Sequence, residues 1–309
     1  MKIFRGFRHP GIAPACALTI GNFDGVHRGH QAMLALLNGE AAQRGIPSCA
    51  LTFEPHPRDY FAAVQNKPAL APARIGTLRD KLSELARYGV QQTVVLPFDA
   101  RLANLTPQAF IDTVLLQGLG ARYVLVGDDF RFGAQRGGDF ALLQQQPEFI
   151  TERTPSVLVA DERASSTAVR RALAAGDLAY AQQLLGHEYT LSGHVKHGAK
   201  LGRTLDSPTA NIHLPPHHYA LSGVFVVDVC GDFGRRRGAA SFGFNPTVSH
   251  TRTQKLEVHI LDWAGDLYGQ RLSVHFLHKL RDELKFDSLD ALKQQIWADM
   301  DAARIWSAH

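Results

Sequence analysis

The sequence predicts two domains: a Rossmann-like α/β domain with a parallel sheet over residues 1–186, and an antiparallel β-barrel domain with a closing C-terminal helix over residues 187–309. Three observations support this division. The chain has 309 residues, which is too many for one small hydrophobic core. Strands alternate with helices before Gly186, as in βαβ units. After Gly186 the pattern changes to short alternating strands separated by glycine turns.

Apolar strands and amphipathic helices follow each other through the first domain. The strand in "CALTIGNFDG" ends in a glycine turn, and the helix after it ends at Gly45. The strand in "SCALTFEP" is stopped by Pro55 and Pro57. A later helix begins where Thr106 can cap it and Pro107 can occupy its first turn. The other predicted elements are a helix in "RIGTLRDKLSELARYGV", a strand in "QTVVLPF" and a strand in "ARYVLVGDDF".

The second domain is predicted from five short strands and one helix. Their pattern is typical of an antiparallel barrel or sandwich, and a barrel is our prediction. The strands lie in "YTLSGHVKHG", "GVFVVDVCG", "RRGAASFGF", "KLEVHILDW" and "QRLSVHFLHKL", and the closing helix lies in "SLDALKQQIWADMDAARIW".

The composition favours small anionic ligands over nucleic acids or membranes. Charged residues make up 20% of the chain, and the formal net charge is +4. A nucleic-acid-binding protein would cluster its basic residues into stripes. The one basic run, residues 235–237, is flanked by glycines and is predicted to be a solvated turn. No segment approaches the roughly 18 apolar residues of a membrane span.

Cysteine usage indicates a reducing compartment, so we expect a cytoplasmic protein. Cys16, Cys49 and Cys230 are odd in number, far apart and without CxxC spacing. This spacing favours neither a disulfide framework nor a zinc site. Each cysteine is predicted to be a small buried apolar residue.

The stretch "GNFDGVHRGHQAML" predicts a phosphate site at the start of a helix. A glycine-rich turn lets backbone N–H groups approach an anion, and the helix N-terminus adds partial positive charge. His27 and His30 are one helical turn apart, so both imidazoles can face that anion and donate hydrogen bonds to it. The alternative is that His27 caps the helix and His30 packs. The strand–turn–helix context favours the phosphate site.

These motifs resemble those of a known enzyme family. "HRGH" resembles the HxGH signature of the nucleotidylyltransferase superfamily. Further matches occur in the order seen in bacterial bifunctional riboflavin kinase/FAD synthetases, and they cover nearly the whole chain. The matching segments are "IGNFDGVHRGHQAML", "TFEPHP", "VGDDFRFG", "ERASSTAVRRAL", "SGHVKHGAKLGRTLDSPTANI", "GFNPT", "LEVHILDW" and "LRDELKFDSLDAL". The resemblance implies that riboflavin and ATP give FMN and ADP, and that FMN and ATP give FAD and pyrophosphate.

The resemblance implies a set of functional residues in the first domain. His27 and His30 would stabilise charge at the α-phosphate of ATP, and Asn22, Asp24 and Asp129 would contact adenosine or flavin. The hydroxyls before the helical "AVRRALAAG" would hold the β- and γ-phosphates, and this interpretation is favoured over the alternative that they only cap that helix. The implied ATP and phosphate ligands are Gly21, Asn22, Gly29, Arg163, Ser165, Ser166, Thr167 and Arg170.

The same resemblance assigns residues of the second domain to the kinase reaction. Glu257 matches the family's proposed catalytic base, and Leu256 and Val258 point to the opposite face of its strand. Without the resemblance, Glu257 would be interpreted as an ordinary solvent-facing strand residue. Thr209 and Asn211 would bind Mg²⁺ and phosphate. The remaining implied residues are Gly198 and Gly202, with Lys200 between them, as a phosphate cradle, and Arg281 and Glu283 as flavin contacts.

One departure from the family pattern leaves alternatives open. This chain reads "LDSPTAN" where relatives read "LGFPTAN", so Asp206 and Ser207 replace a glycine and an aromatic residue. One alternative is a monofunctional adenylyltransferase whose barrel only binds flavin. Intact Thr209, Asn211 and Glu257 oppose it. Another is a non-catalytic nucleotide- or RNA-binding regulator, which the intact HRGH and the mild charge oppose.

Overall fold

The chain forms two compact units in a computed structural model that describes residues 1–197, 209–244 and 253–307. Unit 1 comprises Met1–Pro72 and Lys81–Ser165, and unit 2 comprises Ala73–Asp80 and Ser166–His309. Unit 2 includes residues 166–186, which precede the domain boundary that the sequence predicts at Gly186. The predicted boundary stays a prediction.

Unit 1 contains a parallel sheet of six strands, which confirms the predicted architecture. The strands are β1 (Lys2–Arg5), β2 (Cys16–Ile20), β3 (Ser48–Glu54), β4 (Gln92–Pro97), β5 (Ala121–Gly127) and β6 (Ile150–Thr154). Their order is β1-β4-β3-β2-β5-β6, and each neighbouring pair is parallel. The edge strands β1 and β6 were not predicted. The short strands β7 (Leu158–Val159) and β8 (Glu162–Arg163) pair separately.

Helices cover this sheet and begin and end largely at the predicted signals. Gly45 ends the first helix with φ 64°, and the Thr106 hydroxyl accepts from Ala109 N at 3.2 Å with Pro107 at the first turn. A helix after His56 was not predicted. The helices are α1 (Arg28–Arg44), α2 (Pro57–Val64), α3 (Leu78–Arg87), α4 (Ala100–Ala103), α5 (Pro107–Phe110), which continues as a wider π-helix (Ile111–Gly118), and α6 (Phe140–Gln144).

The sheet is buried on both faces. In β2, Cys16 and Leu18 face one apolar cluster, whereas Ala17 faces another that contains residues of α1. The predicted burial is confirmed for Cys16 and Cys49, which are fully inaccessible. Cys230 is only half-buried, so the prediction does not hold for that residue.

Unit 2 is built around a closed antiparallel barrel, which confirms the predicted fold class and decides between barrel and sandwich. The strand order is β10-β13-β12-β11-β14-β9. The short strand β10 was not predicted, and it closes the barrel between β9 and β13. The elements are α7 (Ser166–Ala175), α8 (Leu178–Leu185), β9 (Tyr189–Lys196), β10 (Ala210–His213), β11 (Gly223–Gly231), β12 (Gly234–Phe244), β13 (Gln254–Ile260), β14 (Arg271–Arg281) and α9 (Leu289–Ile305).

The basic run 235–237 is not a turn, and that prediction is wrong. These residues begin β12 and pair with β11. Asp228 on β11 forms ion pairs with Arg235 Nε at 2.8 Å and with Arg237 Nε at 2.9 Å. Arg235 also forms an ion pair with Glu188 at 3.1 Å. Because Asp228 and Glu188 neutralise these arginines, the basic residues can lie side by side in a strand. The chain turns from β11 into β12 at residues 232–233.

A segment before α3 belongs to the barrel unit. Arg74 N donates to His218 O at 2.7 Å, and Ala220 N donates to Arg74 O at 3.0 Å. The helix predicted in "RIGTLRDKLSELARYGV" therefore begins only at Leu78, after Thr77, whose hydroxyl and N–H both bond Asp80. No helix in the described part of the chain is long and apolar enough to cross a membrane.

Candidate active sites

The order of strands in unit 1 reverses between β2 and β5. The chain passes from β2 to β3 on one side, whereas β5 lies on the other side of β2. In open α/β sheets, ligands bind at such a reversal of strand order. The predicted glycine turn follows β2 directly, and Asp129 follows β5 by two residues.

In the turn from Gly21 to His27, two non-glycine residues have backbone conformations that such residues usually avoid. Phe23 and Val26 have φ values of 49° and 41°, in the left-handed region that favours glycine. Both side chains are fully buried in the apolar cluster that includes α1, so packing stabilises this backbone. The Thr52 hydroxyl also donates to Asn22 O at 3.3 Å. Strained backbone held in this way is typical of functional turns.

The two histidines lie face to face at the start of α1. Their ring centroids are 3.7 Å apart and the planes differ by 26°. His30 also contacts the ring of Phe23 at 5.1 Å. His27 is the N-cap residue of α1, and among the described contacts of α1 its side chain makes no capping hydrogen bond. The position of His27 and the packing of His30 fit the alternative, whereas the missing side-chain cap does not, so the binding of phosphate stays a prediction. The structure thus brings the two imidazoles together, as the spacing predicts.

Gly29 is needed because another segment passes closely over the start of α1. A Cβ at this position would lie 3.0 Å from Ala164 O and 3.2 Å from the His27 ring. Ala164 lies between Arg163 and Ser165, two of the predicted phosphate ligands. The segment that carries these ligands therefore touches the histidine turn directly.

An ion pair joins two residues that the sequence assigns to different ligands. Arg163 Nη2 lies 3.2 Å from Asp129 Oδ1, and both side chains are exposed. The predicted flavin contact and phosphate contact are thus neighbours at the same edge of the sheet.

Three predicted phosphate ligands belong to unit 2. Ser166 begins α7, Thr167 is exposed, and Arg170 donates from Nε to Ala73 O at 2.6 Å. Their binding of phosphate stays a prediction.

A group of aromatic side chains near the carboxyl ends of β3 and β4 was missed by the sequence analysis. Phe98 meets Phe53, Tyr60 and Phe61 edge-on, with ring centroids 5.5–5.8 Å apart. Phe61 is 41% exposed. The only signal was the density of aromatic residues in "TFEPHPRDYF", which does not itself indicate a ligand.

The barrel places the predicted base opposite a predicted metal ligand. Asn211 on β10 is the register partner of Glu257 on β13, and Thr209 directly precedes β10, two residues before Asn211. Leu256 and Val258 point into the core, as predicted. Burial raises the pKa of Glu257, and Lys255 opposes this shift.

Arg281 and Glu283 are engaged within the barrel unit. Arg281 binds both carboxylate oxygens of Asp299 on α9, with Nη2 at 2.7 Å from Oδ2. Phe244 N donates to Glu283 at 3.3 Å. Burial raises the pKa of Glu283, and the Phe244 N–H opposes the shift. Flavin contact by either residue stays a prediction.

Several predicted features lie outside the described residues. They are Gly198, Lys200, Gly202, Asp206 and Ser207.

Comparisons with known proteins match both halves of the chain. A family model described as FAD synthetase matches residues 10–168, and one described as riboflavin kinase matches residues 185–307. The chain is 46% identical over 314 residues to the bifunctional riboflavin kinase/FMN adenylyltransferase of Pseudomonas fluorescens, covering 100% of this chain and 98% of that protein. Identity to the Escherichia coli K12 protein of the same name is also 46%, over 98% of this chain and 97% of that one.

The fold is also similar to a crystal structure from Streptococcus pneumoniae that is described as a macrolide-efflux protein. The TM-score is 0.79 and the sequence identity is 30%. The match covers 99% of this chain and 100% of that chain.

Proposed function

The chain belongs to the family of bifunctional riboflavin kinases and FMN adenylyltransferases, and we propose which of its residues carry out each reaction. The protein phosphorylates riboflavin with ATP to give FMN, and it transfers an adenylyl group from ATP to FMN to give FAD and pyrophosphate. Riboflavin, FMN, FAD and ATP are therefore its substrates and products.

Adenylyl transfer takes place at the turn that carries His27 and His30. An oxygen of the FMN phosphate attacks the α-phosphorus of ATP, and the bond to the bridging oxygen of the β-phosphate breaks. Negative charge moves onto the leaving pyrophosphate, so the site must position both reactants and stabilise charge. The stacked imidazoles on a rigid turn at the reversal of strand order are the observation that carries this assignment.

The phosphates and the flavin of this reaction are assigned to neighbouring groups. Backbone at Gly21, Asn22 and Gly29 approaches the anion, and Asp129 contacts flavin or adenosine. The aromatic group around Phe98 supplies apolar ring surface against which the isoalloxazine ring packs. In unit 1, the side chains that bind the β- and γ-phosphates are Arg163 and Ser165. The binding of phosphate by Ser166, Thr167 and Arg170 stays a prediction.

Riboflavin phosphorylation takes place at the outer face of β10 and β13. Glu257 accepts the proton of the ribityl hydroxyl as its oxygen attacks the γ-phosphorus of ATP, and ADP leaves. The register pairing of Glu257 with Asn211 supports this role, because it places a half-buried carboxylate beside oxygen donors. Arg281 and Glu283 are assigned to the flavin side of this site.

Magnesium is assigned to Thr209 and Asn211. The hydroxyl and amide oxygens of these residues, next to a carboxylate, form the oxygen-only donor set that Mg²⁺ prefers. When bound, Mg²⁺ neutralises charge on the ATP phosphates. Gly198 and Gly202 complete the phosphate cradle in this proposal.

The proposed partners are small anions, and the proposed location is the cytoplasm. Two arginines of the basic run are neutralised by Asp228 and Glu188, so they do not form a phosphate-binding stripe for nucleic acid. Three free cysteines fit a reducing compartment in which ATP is present.

Incubation with riboflavin and Mg-ATP, followed by chromatography, tests both reactions at once. We expect FMN to appear first and FAD to follow. FAD formation from supplied FMN without any FMN formation from riboflavin would favour the monofunctional alternative instead.

A further inference from the structure

A buried hydroxyl on β6 has no role in the assignments above. Thr154 is 4% exposed, and within the residues that the structure describes its Oγ1 has no hydrogen-bond partner. Buried polar atoms nearly always have a partner, so an orphaned hydroxyl indicates a missing ligand or water. Thr151 on the same strand shows the usual situation, because its hydroxyl donates to Leu143 O at 3.2 Å.

Thr154 lies at the ligand-binding edge of the parallel sheet. It is the last residue of β6, and its register partner Gly127 is the last residue of β5. Gly127 leaves room there, since a Cβ would meet only Asp129 Oδ1 at 3.7 Å and Met33 Cε at 3.9 Å. Met33 belongs to α1, which also carries His30. The orphaned hydroxyl, a bare backbone and the helix of the phosphate site therefore adjoin one another.

The position of β6 determines which part of a nucleotide can reach Thr154. The order β2-β5-β6 places β6 two strands from the histidine turn, which is about 10 Å at the usual strand spacing. In an extended nucleotide, the base lies farther from the α-phosphate than the ribose does. With the α-phosphate at His27 and His30, the base rather than the ribose reaches β6.

We propose that Thr154 is a specificity-determining residue of adenylyl transfer, whose Oγ1 hydrogen-bonds the edge of the adenine base of ATP. The inference rests on the proposed location of that reaction at the histidine turn. Gly127 provides the space that the nucleoside crosses on its way to β6.

Kinetics of Thr154→Val and Thr154→Ser test this inference. Valine keeps the shape of threonine and removes the hydroxyl, so the KM for ATP in FMN adenylylation should rise about tenfold with kcat unchanged. Serine restores the hydroxyl and should restore the KM. Thr151→Val is the matched control, and it should leave the KM unchanged. An unchanged kcat of FMN adenylylation at saturating ATP shows that unit 1, which carries Thr154, is folded. Riboflavin kinase activity of the same preparations should keep its own KM for ATP, which shows that the change is confined to adenylylation.

Substrate analogues locate the contact on the nucleotide. The loss in Thr154→Val should be equal with ATP and with 2′-deoxy-ATP. A loss that vanishes with 2′-deoxy-ATP would place the contact on the ribose and overturn the inference. An unchanged KM for ATP, or a raised KM for FMN alone, would also overturn it. His30→Ala is measured alongside: if it keeps wild-type adenylylation, the proposed site is wrong, whereas a silent Thr154→Val beside an impaired His30→Ala refutes only this inference.

Discussion

The two candidate sites of this protein are built in opposite ways. The adenylylation site depends on a short continuous turn, in which buried Phe23 and Val26 hold a left-handed backbone and adjacent residues supply the imidazoles. The kinase site depends on the register between two strands, which places Asn211 opposite Glu257 although they are distant in the chain. A local site can be recognised as a motif. A site made by register depends on every strand between its parts, so it is less visible in the sequence and more sensitive to the closure of the barrel.

The largest expected effect separates the two sites by chemistry. Glu257→Gln preserves shape and removes the proton acceptor, so FMN production should fall by roughly 10²–10⁴-fold. Adenylylation of supplied FMN should not change. The measurement is the initial rate of each reaction. Asp232→Asn makes the same change of charge at an exposed turn of the barrel and serves as the control. Near-normal kinase activity in Glu257→Gln would show that Glu257 is an ordinary strand residue and not the catalytic base.

The reciprocal change tests the histidine turn. His30→Ala removes a donor at the α-phosphate and should slow FAD formation by about 10²–10³-fold, while FMN formation continues. The exposed His9, changed to alanine, is the control. FAD formation at the wild-type rate in His30→Ala would contradict the assigned role.

The local geometry of the turn predicts a smaller effect from a single methyl group. Gly29→Ala places Cβ 3.0 Å from Ala164 O and 3.2 Å from the His27 ring, so both must shift by a few tenths of an ångström. We expect about a tenfold loss of adenylylation, since small displacements of positioned groups are costly. Gly39→Ala lies on the same helix with no atom within 4 Å of its Cβ. It should keep full activity and stabilise the protein by about 0.5–1 kcal/mol. Equal behaviour of the two variants would show that the helix start tolerates a side chain.

Two fragments test how far the barrel depends on residues before the predicted boundary. A fragment of residues 187–309 should phosphorylate riboflavin and form no FAD. A fragment of residues 166–309 should be more stable by a few kcal/mol, because α8 contacts β9 and β14 and two of its side chains, Leu184 and Leu185, are fully buried. Thermal unfolding of both fragments measures the difference. Identical melting temperatures would support the boundary at Gly186.

The smallest effect concerns pH and the stability of the kinase site. Burial raises the pKa of Glu257 above its ordinary value near 4.5, so the folded state favours the protonated form. The contribution of this carboxyl to stability is therefore present below the unfolded pKa and is lost as pH rises through the folded pKa. Glu257→Gln should melt at a higher temperature than wild type at pH 7, and the gap should close as pH falls. A gap that widens toward low pH would contradict the burial of this carboxylate.

The local signals in the sequence were sufficient for most elements. Gly45 and Thr106 bound their helices as predicted, because capping depends on the backbone of neighbouring residues. The strands β1, β6 and β10 were not predicted because each is only four or five residues long, too short for a clear alternation. Residues 235–237 form part of a strand and not the predicted turn. The carboxylate of Asp228 that neutralises them lies on another strand, so the local sequence does not show it. The aromatic group around Phe98 was missed because its rings come from separate elements.

The sequence alone predicted the α/β first half, the antiparallel all-β second half and the histidine turn, since each depends on periodicity or on a continuous motif. The candidate base Glu257 came from the resemblance to the family. Only the tertiary structure decided that the second half closes as a barrel and that Asn211 faces Glu257. It also decided that Arg281 is held by Asp299 and that residues 73–80 join the barrel unit. These features are pairings between residues distant in the chain. Their free energy comes from register and packing, which no local pattern of residues encodes.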